Sequence, residues 1–338
     1  MLILVFFGTI RQGELGLYLT QKIYFSSLIS WIYFIPIPGG RLIMFVMFIN
    51  LFSFLFRKSL WKIKKIGILI VHSGALLLLI GGGLTAYFSS EGRMTIKEGE
   101  KSNYIQDYYD KEFSITSSDT TIVFNVKDNS INQSILIGDI NFNIDVLSYF
   151  DNSNSFSRVD STYKGYYRLN DIISKPSEKE FEMNNAAIIY KITGISNDID
   201  GIYANTIFKS HTHSLDTDIG TILFSLRPKR TYVPFSIELI DFIEELHPGT
   251  TIAKSYSSEV MLHINDTSRR VVIEMNEPLR YNEYTFFQSS FNRQQNTEFS
   301  TFAVVKNYGK LFPYISSIMM CIGLLTHLLM MLTRRIKK

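Results

Sequence analysis

The stretch from Ile66 to Phe88, IGILIVHSGALLLLIGGGLTAYF, decides how this 338-residue chain is read. It runs for 23 residues without a formal charge. As a helix it reaches roughly 34 Å, against a bilayer hydrocarbon core of about 30 Å. Leu311 to Leu332 (LFPYISSIMMCIGLLTHLLMML) is equally free of charge and reads as a second span. Leu42 to Phe56 (LIMFVMFINLFSFLF) is shorter and reads as a further span extending back through Gly39 and Gly40. Met1 to Gly8 (MLILVFFG) is apolar but too short to cross. It reads as the last turns of a first span whose beginning is missing, or as a short interfacial anchor. With neither a basic n-region nor a cleavage site it is not a signal peptide.

Charge follows the same division. Overall the chain is 46% apolar and 14% aromatic, with a formal charge of +3. Residues 89–310 hold 22 Lys and Arg against 30 Asp and Glu, a net of −8. Everything else holds 12 basic residues and one acid, Glu14. The basic character therefore comes from clusters flanking apolar segments, a membrane pattern rather than a nucleic-acid-binding surface. That excludes a wholly soluble globular enzyme. Arg57, Lys58, Lys62, Lys64 and Lys65 crowd one connector, and Arg334, Arg335, Lys337 and Lys338 follow the last span. By the positive-inside rule both clusters are cytoplasmic. The 89–310 region and the 9–40 loop then lie outside. Within that loop, IYFSSLISWIYFIPIP (23–38) carries aromatics and prolines that suit an interfacial segment.

The expected organisation is a helical transmembrane bundle of about four spans with a large β-rich extracytoplasmic domain. Its parts are a span remnant (1–8), an outer loop (9–40), spans at 41–57, 66–88 and 311–333, a basic loop (58–65), the outer domain (89–310) and a basic tail (334–338). Short runs rich in Ile, Val, Phe, Tyr and Thr read as strands, among them FNIDVLSYF (142–150), AAIIYKITG (186–194) and EVMLHIND (259–266). FSIELIDFIEEL (235–246) fits a helix, and its first half fits a strand. Asp151 to Ser157 reads as a flexible loop. The outer domain has no cysteine, since Cys321 sits in the last span, so thiol redox chemistry and a cysteine zinc site are excluded there.

Histidines are the candidates for chemistry. His72 lies six residues into its span, and an ionisable side chain at that depth marks a functional site by default. The alternative is a neutral imidazole satisfied by a neighbouring helix. Gly74, Gly81 and Gly82 offer a face for close approach of another helix or of a flat cofactor. His327, in the last span, falls at a depth similar to His72, so two imidazoles facing across the bundle would ligate a haem iron axially. The alternative for His327 is an interfacial residue near headgroups. His211 and His213 share a strand face as metal ligands can, and a solvated loop is the competing reading. His247 precedes Pro248 and Gly249, which is turn chemistry, and His263 alternates within a strand. No Gly-rich phosphate loop, HExxH helix or GxSxG elbow is present. Glu244 and Glu245 are adjacent and diverge on a helix.

Several stretches resemble the ResB (CcsB) family of cytochrome c biogenesis proteins. They are GTIRQGELGLYLTQKIYFSSLISW (8–31) with PGGRLIMFVMFINLF (38–52), then GILIVHSGALLLLIGGGLTAYFSSEGRMTIKEGE (67–100). FSIELIDFIEELHPGTTIAKSYSSEV (235–260), MNEPLRYNEYTFFQSSF (275–291) and KNYGKLFPYISSIMMCIGLL (306–325) continue the likeness in the family's order. Residues 110–230 match only diffusely.

The resemblance implies a bacterial inner-membrane subunit that is not catalytic on its own. Together with a ResC (CcsA) partner it forms a cytochrome c synthase, or haem lyase, which carries haem b across the membrane and attaches it to apocytochrome c. It implies that His72 is an axial ligand of the haem iron, with the other ligand expected from the partner. His327 is a second candidate. A thioredoxin-like reductant and membrane lipid are further implied partners; nucleic acid is not. Trp31 and Trp61 are the only tryptophans, so the tryptophan-rich motif of the synthase half is absent. Arg57, Lys62, Lys64 and Lys65 are placed to attract haem propionates, or are there for topology alone. The competing functional reading is an outer scaffold that recruits apocytochrome c or its reductant without ligating haem.

Overall fold

The computed structural model describes residues 1–58, 61–118, 120–126, 132–137, 140–159, 162–207, 213–217, 220–250, 253–294 and 297–336. The chain forms two units. One comprises Met1–Ile10, Thr20–Asn103 and Pro234–Lys338; the other comprises Arg11–Leu19 and Tyr104–Val233.

Four helices carry the apolar segments: α1 (Leu2–Thr20), α2 (Gly40–Leu55), α3 (Ile66–Phe88) and α4 (Phe312–Ile336). The helical stretches Leu2–Phe25, Ile63–Phe88 and Phe312–Thr333 are long and apolar enough to cross a membrane, and α2 is shorter. The helix at the start does not stop with the apolar run at Gly8; it continues to Thr20 and passes into a wider turn over Gln21–Phe25. It is not a straight rod. Gly16 has φ 78° and ψ 172°, a conformation open to glycine that breaks the helix. Beyond that bend the chain doubles back, so that a Cβ on Gly8 would meet the Phe25 ring at 2.9 Å. The straight part before Gly16 spans only about 20 Å, less than a hydrocarbon core. The segment read as interfacial is a β-hairpin, β1 (Ile29–Ile32) and β2 (Ile35–Pro38), with Trp31 and the turn residues Tyr33 and Phe34 exposed.

The remaining strands run in chain order. First come β3 (Ser90–Lys97), β4 (Lys101–Thr116), β5 (Thr121–Asn125), β6 (Asn132–Ile137), β7 (Ile140–Phe150), β8 (Ser153–Ser157) and β9 (Asn170–Ser174). Then follow β10 (Ala187–Thr193), β11 (Gly201–Thr206), β12 (His213–Thr217), β13 (Gly220–Leu246) and β14 (Ala253–Ile264). The last are β15 (Thr267–Glu274), β16 (Leu279–Tyr281), β17 (Tyr284–Gln294) and β18 (Thr297–Lys306). Alternation builds them. In β3, Gly92, Met94 and Ile96 turn inward between exposed Arg93 and Thr95. In the first unit β3 pairs with β18, β18 with β17, and the part of β13 from Pro234 onward pairs with β14. In the second unit β11, β10, β7 and β6 form a four-stranded sheet. Its core gathers Phe113, Ile144, Ile188, Tyr190, Ile192 and Phe224, all fully buried.

Two expectations are corrected. Residues 235–246 are strand throughout, not helix. Val233, Phe235, Ile237 and Leu239 face inward in strict alternation, and an irregularity between Leu239 and Asp241 then moves the inward position to Phe242. That one-residue slip in a period-2 pattern leaves apolar residues three and four apart, which imitates a helix. Asp151 to Ser157 is not an open loop, because Ser153–Ser157 pairs with Asn170–Ser174 and Asn152 is buried with its amide donating to the Pro176 carbonyl.

Candidate functional site

His72 is half-buried on α3. Its Nδ1 lies 2.8 Å from the carbonyl oxygen of Ile68, one turn earlier. A carbonyl oxygen only accepts, so the neutral ring carries its proton on Nδ1 and presents the lone pair on Nε2. The ring lies against Phe54 of α2, with centroids 4.3 Å apart. Phe54 is in turn covered by the Arg57 guanidinium at 5.4 Å. Trp61 Nε1 donates to the Leu55 carbonyl at 2.9 Å, tying the basic connector back to the end of α2. The result is an imidazole fixed in tautomer and in plane, the way a metal-ligating histidine is held by a backbone acceptor on its other nitrogen. These residues would hold a haem iron through His72 Nε2.

Helix α3 owes its place to glycines. Gly67, Gly74 and Gly81 are buried at seven-residue spacing on the side that faces α4. A Cβ on Gly67 would sit 2.6 Å from the His327 backbone nitrogen and 2.8 Å from the Gly323 carbonyl oxygen. On Gly74 it would meet Met320 Cγ at 2.8 Å, and on Gly81 it would run into Phe312. The entry to α4 locks the other end, where Thr85 Oγ1 donates to Asn307 Oδ1 at 3.0 Å and that same oxygen accepts from the Gly309 amide at 2.7 Å. Gly74 and Gly81 are therefore used for helix contact. Gly82 is on another face: a Cβ there, or on Gly83, meets nothing within 4 Å.

This packing sets the level of His327. The Gly67, Gly74 and Gly81 contacts pair α3 positions with α4 positions of descending number, which puts His72 level with the neighbourhood of Met320 and His327 level with the start of α3. Seven residues of helix separate them, about 10 Å along the axis. The two imidazoles are not at one level along the helix pair, and their similar distance from the basic clusters in sequence does not survive the α3–α4 register.

The outer histidines have local roles. His213 stacks on Tyr203 at 4.0 Å, and its Nδ1 is 3.2 Å from the Tyr190 hydroxyl. Burial pushes its pKa down to about 4, so it is a neutral core residue. Its neighbour His211 lies outside the described residues. His263 Nε2 is 2.7 Å from Glu238 and its Nδ1 is 2.8 Å from the Ser268 hydroxyl. That contact, with Lys101 beside it, holds the Glu238 carboxyl below the usual range. His247 begins a turn closed by the Thr250 amide, with Gly249 at φ 74°. Glu244 and Glu245 point to opposite faces of a strand. Among the described residues no three His, Cys, Asp or Glu side chains gather as a metal site.

Phe54, Gly67, Gly323 and Arg41 were not singled out from the sequence. The seven-residue glycine spacing was a readable signal for Gly67, whereas Phe54 needs the α2–α3 packing.

The ResB-like family profile matches residues 216–300, a segment running from β12 to β18. The protein NrfI of Wolinella succinogenes is 25% identical over 297 residues, 84% of this chain and 29% of that protein. The chain thus spans less than a third of that relative's length. The likeness to NrfI runs through most of the chain, and the segment 216–300 contains two of the motifs by which the sequence resembled the family. The resemblance is borne out: the chain is similar to the ResB-like family over residues 216–300 and to NrfI over most of its length.

Proposed function

We propose that this chain is a membrane subunit for cytochrome c maturation, which holds haem as cargo on His72 and acts with a ResC-type partner that presents the haem to apocytochrome c. The ResB-like match and the likeness to NrfI support a maturation role. One observation supports the haem reading: on an uncharged helix, His72 donates from Nδ1 to the Ile68 carbonyl, so Nε2 is the nitrogen that would be offered to a metal. His72 Nε2 would hold the haem iron, and any second ligand would come from the partner rather than from His327, which sits at another level. Protonation of Nε2 competes with the iron, so haem affinity falls as pH is lowered. In this reading α2, α3 and α4 lie in the bacterial inner membrane, with the basic connector in the cytoplasm and the β-rich region outside. The chain lends haem a ligand and a place; the bond-forming step belongs to the assembled complex.

The test is the absorption spectrum of the chain co-purified with its partner, comparing wild type with His72→Ala and His72→Gly. A Soret band lost in the alanine variant and restored to the glycine variant by imidazole supports ligation. An unchanged spectrum in all three removes His72 as ligand.

A second reading has one observation in its favour. The family match at 216–300 falls in the strand-rich region and leaves α3 outside it. Under that reading the β-rich region recruits apocytochrome c or a thiol reductant. Cytochrome c maturation would then survive His72→Ala.

A further inference from the structure

Arg41 has no account in the charge pattern. The positive-inside rule explains the cations between α2 and α3, at the end of the helix pair where His72 and Phe54 lie. Arg41 is at the opposite end, in the first turn of α2, and is the only charged residue of that helix. No Asp or Glu occurs anywhere from Leu15 to Ser90. A guanidinium stays charged at any accessible pH, so it needs water or an anion beside it. Among the described residues, its close side-chain partner is the ring of Tyr87 on α3, 5.4 Å away.

A groove opens beside this cation. It has a volume of about 560 Å³ and lies between the first half of α2 and the last turns of α3. Its walls are apolar, with Met44, Phe45 and Phe48 on one side and Leu79 and Ile80 on the other. Its floor is Gly82 and Gly83, where the missing side chains leave open space. Ser26, Arg41 and Tyr87 supply the polar rim. An apolar slot the width of two missing side chains, with a permanent cation at one end, matches an amphiphile with a single anionic head.

We propose that this groove holds an anionic phospholipid, with one acyl chain along the α2–α3 seam and its phosphate on Arg41. The inference rests on the membrane placement of α2 and α3 proposed above, and it is independent of haem on His72. The lipid fills the seam that glycine leaves open and neutralises Arg41, the one charged residue within α2 and α3. Gly82 and Gly83 then have a reason distinct from that of Gly67, Gly74 and Gly81: they make room for a ligand rather than for a helix.

Native mass spectrometry of the full chain with its partner tests this, after delipidation and exchange into mixed micelles of phosphatidylglycerol or phosphatidylcholine. Wild type retains phosphatidylglycerol over phosphatidylcholine by about fivefold, the factor one cation near the surface gives for an anionic lipid. Arg41→Gln removes the preference and keeps the phosphatidylcholine adduct. Gly83→Leu, whose Cβ meets nothing within 4 Å and whose side chain would enter the groove, loses both adducts. Retention of phosphatidylglycerol by Gly83→Leu at the wild-type level overturns the proposal, and so does a preference that survives Arg41→Gln. The haem spectrum of the same samples is read in parallel. A Soret band lost from Gly83→Leu with lipid binding unchanged assigns the groove to haem instead. A Soret band absent from wild type while the lipid pattern holds counts against the His72 reading alone.

Discussion

His72 and His213 are both partly buried imidazoles, and the chain treats them in opposite ways. His213 is enclosed by aromatic side chains, with Tyr203 on its face, Phe224 beside it and the Tyr190 hydroxyl on Nδ1. Among the described residues His72 has one backbone hydrogen bond and one ring neighbour, with none for its second nitrogen. The first arrangement fills a core and is a matter of stability. The second leaves a donor atom open at the cost of leaving a polar group under-satisfied, which is how ligands are held. The difference comes from the surroundings. A β-core packs side chains on both faces of a strand, whereas an α-helix in a small bundle covers only part of its circumference.

The same contrast extends to other buried groups and can be broken by substitution. In the β-rich second unit Glu112 is buried and accepts from Arg227 Nε at 2.8 Å and from the Arg230 amide at 3.2 Å. Arg227→Leu strands that carboxylate, and a loss of about 3–5 kcal/mol is expected in chemical unfolding. A loss below about 1 kcal/mol would show that the region is not satisfied as tightly as the His213 cluster suggests.

Gly67→Leu tests the helical side. The backbone of His327 and Gly323 blocks any side chain there, and these atoms cannot swing away. Separation of α3 from α4 is expected at about 2–3 kcal/mol in a detergent unfolding titration, while Gly83→Leu stays within about 0.5 kcal/mol. Equal effects at the two glycines would erase the distinction between the packed face and the open one.

The smallest effect sharpens the comparison through pH. His213 has its folded pKa depressed to about 4 from the ordinary value near 6.5. Between those values the unfolded chain takes up a proton that the folded chain refuses. Stability is therefore full above about pH 6.5 and falls as pH drops toward 4, by about 2 kcal/mol after allowance for partial exposure. Thermal melts of wild type and His213→Phe across that range measure it, and the variant should lose that part of the slope. A slope unchanged in His213→Phe assigns the acid lability to other groups.

Apolar runs and charge placement were enough to read α3, α4, the short α2 and several of the strands, because each of these is a local pattern with its own period. The charge-free length of residues 66–88 follows from composition, and so does the oddity of a histidine within it. What needed the fold were relations between segments. The bulge after Leu239 hid a strand inside a helical spacing, and only pairing with β14 fixed which residues face inward. The Gly16 bend hid the return of Phe25 to Gly8. The level of His327 depended on the register of two helices, which sequence distance from a basic cluster does not encode. The division of one glycine-rich stretch into a packed face and an open groove was likewise a matter of which neighbour stands opposite each Cα. Sequence determines which segments must leave water, because hydrophobicity is a property of each residue. Tertiary structure decides which lone pair, cation or gap is left facing outward, because that depends on what the neighbouring segment brings.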